Sequence, residues 1–173
     1  LLLEYLLKKR DAGAKFDELV EYTINLVDHV CSYFTVSDLK HLASLGRVSK
    51  TQAFVGTLAN IMPVLYVNKF GELVPIEKVV TRKKAIKALV DKMQDKMLPV
   101  DQQDVIFIGH GESLEDAEYL KQLVTERFGI TNIIIDYVGT VIGCHSGYGT
   151  IALFFLGKDK LEAKDAHTAK LLK

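Results

Sequence analysis

Neither sign of charge is in excess, since Lys+Arg and Asp+Glu both number 22 among 173 residues. Such a balance creates no overall field to recruit nucleic acid or an anionic membrane, so any charged partner surface must be local. Cysteine is scarce: Cys31 and Cys144 lie far apart and form no CxxC pair, which argues against a disulfide framework and fits reduced thiols in a cytoplasmic protein. Internal repeats and low-complexity tracts are missing too. The chain also lacks an initiator methionine, and LLLEYLLKKR is helical from its first residue with no N-cap ahead of it. The expectation is a truncated fragment, in which residues 1–14 are a remnant helix from, or a linker to, a missing amino-terminal domain and residues 15–173 are the domain that remains.

One stretch lacks charge altogether. Residues 137–157 contain no Asp, Glu, Lys or Arg and are long enough to cross a bilayer. Their five glycines (Gly139, Gly143, Gly147, Gly149, Gly157), with His145 and Ser146, would leave the middle of a spanning helix weak and polar. A buried strand and loop are expected there instead of a membrane span, and no signal peptide is visible.

What is present is the make-up of one ordinary globular domain, 49% hydrophobic and 25% charged, able to bury a core. Residues 1–10 predict a short amphipathic helix ended near Gly13. From Phe16 the apolar positions Phe16, Leu19, Val20, Ile24, Val27 and Val30 keep helical spacing, with Asp17 and Glu18 in the first turn where they suit the helix dipole. CSYFTV reads as a strand, SDLKHLASLG as a short helix stopped by Gly46, and SKTQAFVGTLANI as a mostly apolar helix broken at Pro63. MPVLYV and ELVPIEKVV, separated by the turn-like NKFG, predict a hairpin whose second strand, carrying Pro75, lies at an edge or bulges. Residues 81–97 follow a helical pattern with Ala85, Ile86, Leu89, Val90, Met93 and Met97 in one stripe. Strand DVIFIG, helix SLEDAEYLKQLVTERFG capped by Ser113, and strand NIIIDYV make a βαβ unit, hence two parallel strands. IALFFLG adds a buried strand, and the tail DKLEAKDAHTAKLLK is polar with helical potential. The fold class is therefore α/β, a mixed β-sheet covered by helices.

Residues able to carry chemistry gather near glycine. In GCHSGYGT, residues 143–150, glycines of this density mean that the backbone takes positive φ or lets something approach closely. His145 then either faces an anionic ligand, a carboxylate or phosphate, or is a buried histidine bonded to a backbone carbonyl. Arg47, in LGRVSKTQ, directly follows Gly46 and precedes Ser49, Thr51 and Gln52. Its guanidinium fork matches a carboxylate bidentately, beside the free N–H groups that start the next helix; the alternative is a surface arginine on carbonyls of the preceding helix. His110, in IGHGES, stands at the carboxyl end of a strand, a common functional position, with Glu112 and Asp136 as potential neighbours. No second histidine or carboxylate lies at metal-ligand spacing around it, so no metal site is expected. Ser146 lacks the glycine two places before it that a G-x-S-x-G elbow requires, and no nucleophile has a convincing base. TRKKAIK, with Arg82 to Lys84, is a small basic patch that serves as a solvated helix start or a partner surface.

Taken in order and spacing, GRVSKTQAFVGTLANIMPVL, GELVPIEKV with TRKKA, IGHGESLEDAEYL and GCHSGYGTIALFFLG resemble the carboxyl-terminal portion of the DegV family of bacterial fatty-acid-binding proteins. Each piece alone is weak, whereas four in register are specific. The resemblance implies a two-domain protein with a long-chain fatty acid held between its domains, residues 15–173 being the carboxyl-terminal lipid-binding domain. It further implies a non-catalytic, cytoplasmic subunit, without cofactor, that presents the acyl carboxylate to the separate catalytic subunit of a fatty acid kinase. By motif match, Arg47 with Ser49 in the GRxS element, and His145 with Gly147 and Gly149 in the HxGxGT element, lie at the carboxylate. The remaining head-group ligands come from the missing amino-terminal domain, and Arg82 faces the kinase. Tyr148 departs from the proline usual after HxG, and Met62 from the NIKP usual in the family.

Elementary energetics support an acyl ligand independently of the name. Burying a methylene is worth ~0.8 kcal/mol, so a chain of about fourteen contributes on the order of 10 kcal/mol before ordering costs. Phe54, Val55, Leu58 and Ile61 of the apolar helix are candidates to line such a tunnel, or are plain core. Two other readings compete. One is a small hydrolase or phosphotransferase using His145 or His110 on an anionic substrate. The other is a module serving only interaction or dimerisation.

Overall fold

The computed structural model describes residues 1–46 and 61–158. Expectations for the apolar helix, for Arg47, Ser49, Phe54, Val55 and Leu58, and for the tail lie outside these residues. In chain order the elements are α1 (Leu2–Asp11), α2 (Phe16–Val27), β1 (Val30–Thr35), α3 (Leu39–Ser44), β2 (Ile61–Val67), β3 (Leu73–Val80), α4 (Arg82–Lys96), β4 (Ile106–His110), α5 (Leu114–Phe128), β5 (Ile133–Tyr137), α6 (Thr140–Ser146) and β6 (Ile151–Leu156). One six-stranded sheet runs in the order β3-β2-β1-β6-β4-β5. Only β4 and β5 are parallel, as the βαβ pattern predicts; the other pairs are antiparallel. The α/β mixed sheet expected from the sequence is what forms.

Local chemistry explains the hairpin. Asn68 accepts hydrogen bonds from the backbone N–H groups of Phe70 and Glu72, both at 2.9 Å, an Asx turn that reverses the chain between β2 and β3. Pro75 has no N–H to give a ladder, and both devices that accommodate it are present: β3 is an edge strand, and its register slips opposite Val64 and Leu65.

The two faces of the sheet are covered differently. On one, α4 and α5 press Ile86, Leu89, Met93, Ala117, Leu120 and Val124 onto Tyr33, Tyr66, Ile108, Leu153 and Phe155, forming the main core. Among the described residues the other face carries two satellite clusters. Leu42 of α3 packs with Phe34, Leu65 and Ala152 at one place, and Tyr5 of α1 and Leu26 of α2 pack with Val105 and Leu156 at another. Tyr5 is further tied to the rest of the domain, its hydroxyl accepting the Asp104 N–H at 2.9 Å.

Two elements depart from the sequence reading. Helix α2 forms where the spacing predicts it, but Phe16, Val20, Ile24 and Val27 point outward, Phe16 being 78% exposed. Its inward face is Tyr22 and Leu26, because those positions meet α1 and the Leu156 end of the sheet. Spacing alone fixes a stripe, not which neighbour will be there to cover it. The second departure is that residues 140–146, expected as strand and loop, are helical. Gly139 and Gly143 do not prevent a short helix whose turns are closed by Gly143 N–H to Gly139 and Gly147 N–H to Gly143, both at 2.8 Å. The Ser146 hydroxyl adds a bond to the Ile142 carbonyl at 2.9 Å.

Candidate functional site

A cavity of about 610 Å³ opens on the less covered face of the sheet. Its floor is Ser32, Tyr33 and Phe34 of β1 with Ala152 and Phe154 of β6; Leu42, Val67 and Leu73 wall one side, and Val138, Val141 and Ile142 the other. The lining is predominantly apolar, and Val141 and Ile142 are themselves mostly exposed, so the cavity is a groove open along α6. His145, in the last turn of α6 and half-buried, stands on its wall. Two further polar side chains of the lining are engaged within the chain: Ser146 bonds to Ile142, and Thr150 donates to the Gly147 carbonyl at 2.7 Å. The Tyr33 ring itself belongs to the opposite face, packed against Tyr66 and Phe155 in the main core. Burial above all, then the neighbouring Cys31, Tyr66 and Asp95, push its phenol far above the ordinary value, so it stays neutral. A second, smaller hollow of about 260 Å³ shares Val138, Ile142 and Phe154 with the first and continues toward Phe107 and Gly109.

The glycines beside His145 are explained by the chain itself. Gly149 has φ +80°, and a Cβ there would run into the Ser37 side chain, whose Cβ lies at 2.8 Å. Gly147, at φ +79°, has the His41 ring against it, with Cδ2 at 3.2 Å from a Cβ position. The close approach inferred from sequence is thus real, but what approaches is the chain's own Ser37, between β1 and α3, and His41 in α3. Gly149 also borders a separate hollow of about 560 Å³ with Ser37, Tyr148, Arg82, Glu112 and Asp116.

The sequence-derived candidates divide accordingly. His145 lies in the groove, and Gly46, the residue before Arg47, lines the same groove. Ile61 opens β2 and is not among the lining residues described. Arg82 starts α4, pairs through Nε with Asp116 at 2.8 Å, and keeps both terminal nitrogens buried with no hydrogen bond among the described residues. His110 is buried; its Nδ1 accepts the Ser113 N–H at 3.2 Å and its ring lies on Tyr137, a structural role at the strand end. Among the described residues no group of three His, Cys, Asp or Glu side chains is placed to hold a metal, and no helix is long and apolar enough to cross a membrane. Neither cysteine is in a disulfide; Cys31 is buried and Cys144 exposed. Sequence reasoning missed Phe34, Leu42, Val67, Leu73 and Phe154 as groove residues. The strand patterns VCSYFT and IALFFL contain Phe34 and Phe154, but both segments carry apolar residues on either parity, which hides the face each residue takes.

Comparison with known proteins matches this arrangement. The family described as "Uncharacterised protein, DegV family" matches residues 1–158. The DegV domain-containing protein CPE0026 of Clostridium perfringens is 41% identical over 160 residues, covering 92% of this chain and 55% of the relative. Among solved structures, the fatty acid binding DegV family protein SAG1342 of Streptococcus agalactiae is 32% identical with a TM-score of 0.75, over 91% of this chain and 55% of its own. The fatty acid kinase (Fak) B3 protein of Streptococcus pneumoniae, loaded with linoleic acid, shares the fold at TM-score 0.79 and 22% identity, over 91% of this chain and 55% of its own. The chain spans about half the length of the curated relatives it matches. With these motifs in register, this sheet order and a match from the first residue to the end of β6, the chain belongs to the DegV family.

Proposed function

We propose that this chain forms part of a fatty-acid-binding protein, holding an acyl tail in the groove and its carboxylate near His145, and presenting that carboxylate to a separate kinase for acyl-phosphate formation. The observation that carries the reading is an apolar groove of about 610 Å³ with an imidazole on its wall. A methylene-rich chain gains from such a lining about 0.8 kcal/mol per buried CH₂, while an imidazole and a guanidinium that hydrogen-bond a carboxylate favour one orientation of the head. Arg47 and Ser49 are proposed at the same end, supported by Gly46 lining the groove beside them. Gly147 and Gly149 are proposed to serve the head group through the loop they shape. Phe54, Val55, Leu58 and Ile61 remain proposed as further tail contacts.

Kinase presentation draws its support from the fold shared with the Fak B3 protein. Arg82 is the proposed kinase-facing residue: its Nη atoms form no hydrogen bond among the described residues, beside a hollow that reaches Gly149. The protein itself carries no catalytic role in this reading, and reduced cysteines fit a cytoplasmic place. Because the chain spans about half of its relatives' length, the other ligands of the carboxylate and the far wall of the groove are assigned to the remaining half, with residues 1–14 leading toward it.

Organic extraction of the purified protein followed by mass spectrometry tests the reading. A C14 to C18 acid is expected to co-purify with a protein of the relatives' full length, and weakly or not at all with these 173 residues alone. Absence of any fatty acid from the longer protein, with no uptake of added oleate, sinks it.

A further inference from the structure

Helix α6 is seven residues long, too short to persist without support, and two of its side chains, Val141 and Ile142, are mostly exposed, Val141 at 71%. Among the described residues, the body of the domain therefore gives it little apolar packing. What fixes it instead is a cross-link from α3. The His41 Nε2 lies 2.9 Å from the carbonyl oxygen of Cys144, the residue before His145. A carbonyl only accepts, so this nitrogen carries the proton, and the bond satisfies one of the last-turn carbonyls that a helix leaves open. His41 is itself placed by α3: Asp38 caps that helix, its Oδ1 accepting the N–H groups of Lys40 at 2.8 Å and His41 at 3.2 Å. Gly147, just past the end of α6, has no Cβ and so leaves room for the ring.

We propose that His41 is a positioning residue: through its bond to the Cys144 carbonyl it sets the pitch and end of α6 and so aims the His145 imidazole at the head of the ligand. His41 is absent from the lining of the groove, so it acts through α6 and not by contact with the ligand. The part about aiming rests on the reading of His145 as a head-group residue.

Three variants separate the contributions. His41→Phe keeps a ring against Gly147 without the donor; His41→Gln keeps a donor at the position of Nε2 without the ring; His41→Ala removes both. Because His41 is exposed, all three are expected to fold. In His41→Ala and His41→Phe, the His145 ring resonances should move and the amides of Gly143 and Gly147 should exchange about fivefold faster, a loss the size of one net hydrogen bond. Amides of β6 should be unchanged, and His41→Gln should stay near the parent. With [1-¹³C]oleate bound to a protein of the relatives' full length, the carboxyl signal should shift and affinity fall about fivefold in the first two variants only. Unchanged His145 resonances and α6 exchange in His41→Ala and His41→Phe overturn the proposal, as does a His41→Gln variant no better than His41→Ala. A looser α6 that leaves the oleate carboxyl signal in place overturns it equally. If a protein of the relatives' full length with His41 intact takes up no oleate, the functional reading fails separately, while the ring resonances and exchange rates still decide whether His41 holds α6 and His145.

Discussion

The two faces of the sheet are made from the same strands and do opposite things. Alternate residues of β6 go to each: Leu153 and Phe155 into the interior under α4 and α5, Ala152 and Phe154 to the groove. The helix-covered face excludes solvent with close-packed aliphatic side chains. Among the described residues, the groove face leaves apolar area uncovered around α6, which a ligand can use. Apolar residues thus stabilise the fold where a helix covers them and create affinity where none does.

Truncating the covered face should have the largest effect. Leu89→Ala or Phe155→Ala, each fully buried, is expected to cost about 3–5 kcal/mol in urea unfolding, against about 1 kcal/mol for Phe154→Ala on the groove face. Equal losses would erase the distinction. Next comes the loop under His145: Gly149→Ala should lose about 2–3 kcal/mol, from strained φ and the clash with Ser37. Pairing it with Ser37→Gly should recover the steric part; a lack of recovery would leave φ as the whole cause.

The covered face also makes a pH prediction. The Tyr33 phenol is held above its ordinary value in the folded state by burial, so the folded protein binds that proton more tightly than the unfolded chain. The stability this gives is complete below the unfolded value near ~10 and is lost as pH rises beyond it. Chemical unfolding followed between pH 8 and 11 should show a flat region and then a decline, and Tyr33→Phe should remove this contribution to the decline. The smallest change in stability is expected for His145→Ala, within about 0.5 kcal/mol, while affinity for oleate falls roughly tenfold through loss of a charge-assisted contact. Tight binding by that variant would remove His145 from the head group.

Much of this was legible because it is local. The βαβ unit from β4 to β5 rests on period-2 strands and a period-3.6 helix, and Pro75 announces an edge or bulge because it cannot donate to a ladder. The outward stripe of α2 was not legible, since amphipathic spacing is the same whether or not a partner arrives. Nor was the insertion of β6 between β1 and β4, which pairs Cys31 with Phe155 across most of the chain. Within the site, His145 stood out by its glycines, yet for a reason the sequence hides: Ser37 and His41, more than 100 positions away in the chain, fill the space those glycines vacate.

Composition, periodicity and motif order by themselves determined a mixed α/β domain of the DegV type, with His145 worth testing. Which apolar face is core and which is groove, why Gly147 and Gly149 have no side chains, and what holds α6 were decided only by tertiary structure. The reason is physical: secondary structure follows from neighbours along the chain, whereas exposure of an apolar side chain depends on what distant segments leave uncovered.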